Sequence, residues 1–143
     1  MFRRWEIGGE DYEILLYQKL LEHGFSACPP LGQACPFDLV AVSRFTGATH
    51  KIQMKTVTKP YKNDVYRIRF THGGKSKQEN CVSNVDVFVA YLVPMKTWMV
   101  VPNRISLPKS LSLCANTSLK SHPGYEKWEL LHRHHLVKME TAY

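Results

Sequence analysis

Nothing in the 143 residues approaches the roughly 20 consecutive apolar positions that a bilayer-spanning helix needs, so no membrane anchor is expected. The opening MFRRWEIGGEDYE carries basic residues but no apolar stretch ahead of a small-residue cleavage site, and no secretion signal is expected either. Both absences point to a cytoplasmic protein. The four cysteines, Cys28, Cys35, Cys81 and Cys114, contain no CxxC pair. That argues against a disulfide framework and against a structural zinc site, which usually shows tighter ligand pairs than Cys28, Cys35 and the HRHH run at 132–135 can offer. Internal repeats and low-complexity tracts are absent. Acid is outnumbered: 12 Asp and Glu stand against 19 Lys and Arg, a formal charge of +7. Such an excess favours a polyanionic partner, of which nucleic acid is the commonest.

What is present reads as one domain over residues 1–143, with 44% hydrophobic and 22% charged residues. From about Glu10 to His23 the pattern is helical, Ile14, Leu15, Leu16, Leu20 and Leu21 forming an apolar stripe that Gly24 ends. CPPLGQACP follows as a loop. FDLVAVSRF, THKIQMKTV and VYRIRF are rich in β-branched and aromatic residues and read as strands. A basic loop, THGGKSKQEN, leads to VDVFVAYLV, whose continuous apolar run after Asp86 suits a strand covered on both faces. KTWMVVP looks like its hairpin partner. Residues 103–143 read as an extension: a Ser-rich loop with short helical turns, then a helix over YEKWELLHRHH. The order α-β-β-β, connector, β-β-α predicts an α/β fold of the α+β kind, one mixed sheet with helices packed on it.

One strand carries candidate chemistry. Residues two apart on a strand share a face, so Gln53 and Lys55 project together while Ile52 and Met54 turn to the core. A two-residue turn at Thr46-Gly47 would set Asp38 opposite Lys55, with Gln53 its diagonal neighbour on the same face. On the helix, Glu13 shares a stripe with Leu16, Tyr17 and Leu20 and therefore faces inward, where a carboxylate needs a cation or strong hydrogen bonds. Two carboxylates and an amide oxygen are the hard donors that Mg²⁺ prefers, and a lysine beside them suits metal-assisted phosphodiester hydrolysis. A surface Asp–Lys pair beside an unrelated buried glutamate would leave the same trace in the sequence.

At these residues the chain resembles the PD-(D/E)XK nucleases of the restriction-endonuclease-like superfamily. GEDYEILLYQKLLEHGF is similar to the family's opening helix, with Gly9, Glu13, Leu20 and Gly24 at its marked positions. PFDLVAV supplies the motif aspartate, Asp38, and IQMKTV places Gln53 and Lys55 at the (D/E)XK positions. The order of Pro-containing loop, DL strand and QxKT strand resembles the small homing endonucleases associated with group I introns. The likeness covers about residues 8–102, through Asp86 and TWMVVP. It departs at Pro36, which Phe37 separates from Asp38, and at Gln53, which replaces an acid as it does in the intron-associated members. The resemblance implies an αβββαβ core and a Mg²⁺ (or Mn²⁺) site. Glu13, Asp38 and Gln53 would be its ligands, Lys55 would assist the attacking water, and a homodimer or homotetramer would act on double-stranded DNA in a mobile-element setting.

The alternation in VYRIRF puts Arg67 and Arg69 on one strand face, suited to phosphates or a guanine edge. Lys59, Lys62, Lys75 and Lys77 extend the basic character through flanking loops, and HRHH could add to it. Two rival functions share these features. One is a Holliday junction resolvase, whose opening helix is similar; the other is a DNA-binding module of the same fold made silent by the neutral Gln53.

Overall fold

A computed structural model describes residues 9–30, 35–70, 84–104 and 107–136, with side chains from Tyr12 onward. Its centre is a five-stranded mixed sheet in the order β1-β2-β3-β5-β6. The strands are β1 (Phe25–Cys28), β2 (Leu39–Ser43), β3 (Thr49–Val57), β5 (Val87–Leu92) and β6 (Thr97–Pro102), with β4 (Val65–Arg69) and β7 (Ser110–Cys114) forming a separate pair. Neighbours run antiparallel except β3 and β5, which are parallel. This is the mixed α/β fold expected. Among the described residues no helix is long and apolar enough to cross a membrane.

The two faces of the sheet explain the layers. All six residues of β5 are buried. Val87, Val89 and Tyr91 join the core beneath helix α1 (Gly9–Glu22), while Phe88, Ala90 and Leu92 join the core beneath the β4–β7 pair. An unbroken apolar strand is what two covered faces require. The edge strand β6 is protected by the chain near Gly124, where Val100 N–H donates to the Gly124 carbonyl and Glu126 N–H to that of Trp98.

Several elements depart from the sequence reading. The helical stripe is narrower than expected: Leu16 and Leu20 are fully buried, but Ile14, Leu15 and Leu21 face outward. Phe25–Cys28, of which the sequence reading assigns only Cys28, to a loop, is a short strand pairing with β2. VYRIRF is a strand but leaves the central sheet to pair with β7, itself drawn from the Ser-rich stretch read as loop. In the crossover from β3 to β5 the described residues supply β4; 71–83 lie outside them. YEKWELLHRHH yields only a 3₁₀ turn, Trp128–His132, whose Trp128, Leu130 and Leu131 are anchored in the core by side-chain burial instead of helical repetition.

Candidate active site and cationic cleft

The β2–β3 connection sets the register of the site. Its turn has four residues, Arg44 to Gly47, not two. Ser43 Oγ accepts hydrogen bonds from the amides of Phe45 and Thr46, and Gly47 sits at φ +81°, where a side chain would be strained. Leu39 consequently pairs with Ile52. Asp38 stands beside Gln53, and Lys55 becomes the diagonal neighbour, the reverse of the expected pairing. A slip of two residues preserves the face, so the same three side chains still gather.

Asp38 precedes the regular ladder of β2 and is held by two bonds to β3. Its N–H donates to the Ile52 carbonyl (2.8 Å), and its Oδ2 accepts from the Met54 N–H (2.7 Å). The residue therefore straddles Gln53. Ile52 is fully buried and Met54 packs on the α1 core, which leaves Gln53 and Lys55 half-buried on the other face, as expected. Lys55 Nζ lies 5.8 Å from the Phe88 ring centroid. Burial pulls the Lys55 pKa below the ordinary lysine value, and the Asp38 carboxylate pulls it part of the way back.

Glu13 comes from the other side. It is half-buried on α1, one turn before Tyr17. Burial pushes the Tyr17 phenol pKa up, and the charges of Glu13 and Asp38 push it further. Tyr17 is thus within electrostatic reach of both carboxylates, and Asp38 is in turn within reach of Lys55. Sequence reasoning placed Tyr17 on the helix stripe but overlooked it as a neighbour of the site; its i+4 spacing from Glu13 was the available signal. Among the described residues no three His, Cys, Asp or Glu side chains form a metal-holding group. A Glu, Asp and Gln set contributes only two of that kind.

Beyond Lys55 the end of β3 opens into a cleft of about 530 Å³. Lys55, Lys59, Arg67 and Arg69 line it with Tyr61, and no acidic residue does so among the described residues. Cations facing one cavity favour a polyanion. Tyr66 and Ile68 are buried, which turns Arg67 and Arg69 outward as their alternation predicted. Lys62 is exposed but outside the lining, and Lys75 and Lys77 lie outside the described residues. The HRHH run is elsewhere. His132 stacks on Phe25 and Phe45 and bonds Ser43 Oγ (2.6 Å), and His134 Nε2 meets the Thr46 carbonyl (2.9 Å). It fastens the C-terminal segment to the β2–β3 turn, at the opposite end of β3 from the cleft.

Comparison with known proteins fits this geometry. A solved structure entitled as that of a bacterial homing endonuclease, I-Ssp6803I, superposes with a TM-score of 0.68 at 22% identity, covering 93% of this chain and 94% of that one. At that identity the likeness speaks for the fold. No curated protein matches the sequence. The profile of the PD-(D/E)XK endonucleases matches residues 7–129, which takes in Glu13, Asp38, Gln53, Lys55 and the cleft. The chain belongs to the PD-(D/E)XK endonuclease family.

Proposed function

We propose that this endonuclease is Mg²⁺-dependent, with Mn²⁺ as a substitute, and cuts double-stranded DNA at a specific site as a homing endonuclease, working as a homo-oligomer. The observation that carries the reading is Asp38 astride Gln53, with Lys55 diagonal to Asp38 and two residues along β3 from Gln53, at the mouth of a cleft lined by cations. Glu13, Asp38 and Gln53 offer the hard oxygens that suit Mg²⁺, and only one Asp38 oxygen is taken by the Met54 amide. A cation held there would polarise the scissile phosphate and acidify a water.

The chain's own residues do the rest. Lys55 donates to the attacking water and to the phosphate oxygens as charge builds on them, in a half-buried setting where that charge is stabilised more than in bulk water. Lys59 holds a flanking phosphate, Lys62, Lys75 and Lys77 extend that contact, and Arg67 and Arg69 face the DNA from the same cleft. Gln53 lowers the negative charge of the ligand set by one relative to an acid, so saturation should need more metal.

The test is cleavage of plasmid duplex and of a synthetic four-way junction with Mg²⁺, using wild type, Lys55→Ala and Asp38→Asn. Asparagine keeps an acceptor for the Met54 N–H and removes the charge. Discrete duplex cuts lost in both variants support the proposal. Preference for the junction replaces homing with resolution, and an inactive wild type that still binds DNA leaves the silent module.

A further inference from the structure

β4 and β7 form a two-stranded antiparallel ribbon whose register pairs Arg67 with Ser112 and Arg69 with Ser110. Tyr66, Ile68 and Leu113 fill the core on its inner face. The outer face therefore carries one guanidinium and one hydroxyl on each of two successive rungs. Arg69 and Ser112 are exposed, and Arg67 and Ser110 partly so. Arg67 lies over the Tyr61 ring, its guanidinium carbon 3.6 Å from the centroid. Stacking engages the guanidinium face and restricts its rotation, while the N–H edge keeps the geometry for a planar, two-pronged acceptor.

Phosphate binding requires little of this. A lysine serves as a point charge, and Lys59 lies on the same cleft. A braced arginine fork beside a hydroxyl suits a base edge better. The major groove is about 12 Å wide and admits a two-stranded ribbon, and the O6 and N7 of guanine take a bidentate arginine. Alternate residues on a strand are about 7 Å apart, close to two base-pair steps.

We propose that the outer face of the β4–β7 ribbon reads bases in the major groove, Arg67 and Arg69 each taking a guanine about two base pairs apart. Ser112 and Ser110 contact the adjoining positions, and Tyr61 is the positioning residue for Arg67. The inference rests on the DNA endonuclease reading and adds where its sequence preference resides. Arg67, Arg69 and Lys55 line one cleft, so the bases read lie next to the bond cut.

The test is selection of bound duplexes from a randomised library without divalent metal, so that the readout is binding and not cleavage. Wild type should enrich two guanines at that spacing. Arg67→Lys and Arg69→Lys each keep the charge and should lose one preference by roughly tenfold or more. Tyr61→Leu should blunt the Arg67 position alone, Tyr61→Phe should restore it, and neither should move the thermal midpoint. Lysine variants that weaken all sequences alike, or that leave both preferences intact, overturn the ribbon assignment while the nuclease reading stands. Absence of any preference in wild type overturns it as well. A wild type that neither binds nor cuts DNA overturns both.

Discussion

The two edges of β3 are built alike and serve different ends. Asp86, just before β5, donates its N–H to the Lys51 carbonyl and accepts the Lys51 N–H on its carboxylate (2.8 Å for both). Asp38, just before β2, does the same with Ile52 and Met54. Each carboxylate stands in for a ladder partner where the neighbouring strand has not begun, which gives the Lys51 and Met54 amides of β3 their acceptors. The difference lies in what else is near. Asp38 is within electrostatic reach of Lys55 and Tyr17. Asp86 sits at Lys51, about 13 Å down the strand at the usual rise. An aspartate at a strand start is thus a structural device by default, and its company decides whether it is also a chemical one.

The largest effect should separate the two aspartates outright. Asp38→Asn and Lys55→Ala are expected to lower single-turnover cleavage at least ~10²-fold, the scale for a positioned catalytic group. Asp86→Asn should cut at close to the wild-type rate. Equal losses from both aspartate variants would show that the carboxylates matter only as strand clamps.

Truncation then tests what the edges share. Asp86→Ala and Asp38→Ala each leave one β3 amide without its acceptor, and each should cost about 1–3 kcal/mol in denaturant unfolding. The asparagine variants should recover most of that. A smaller effect is expected from Tyr17→Phe, a few-fold loss in cleavage with little change in stability. An unaltered rate would confine the phenol to a packing role.

How far the sequence could carry this comparison depended on whether the information was local. Alternation placed Gln53 and Lys55 on one face and Ile52 and Met54 on the other, because the pleat has a period of two whatever the partner strand. The all-apolar VFVAYLV that follows Asp86 disclosed two covered faces for the same reason. The register did not follow, since it depends on Ser43 Oγ gathering two turn amides. Nor did the sheet assignment of VYRIRF, whose partner Ser110–Cys114 begins forty residues later in a stretch of weak strand character. The HRHH run looked like surface charge because its stacking partner, Phe25, is more than a hundred residues away.

The subtlest difference between the edges is electrostatic and falls on Lys55. Burial favours its neutral form and the Asp38 carboxylate opposes that, with burial the larger influence. Lys55 should therefore lose its proton below the ordinary value of 10.5. The folded state then sheds this proton before the unfolded state does. The contribution to stability accordingly rises with pH between the folded and unfolded values, and below that window the folded state bears the cost of a half-buried ammonium. Removing the Asp38 charge removes the opposing influence, so Asp38→Asn should move the titration lower still. Asp86→Asn should leave it in place. Reductive ¹³C-methylation followed by NMR titration, with Lys55→Arg to assign the resonance, reads all three. A Lys55 that titrates at the ordinary value, or that responds equally to both asparagine variants, would mean that the two edges of β3 do not differ in the way their neighbours imply.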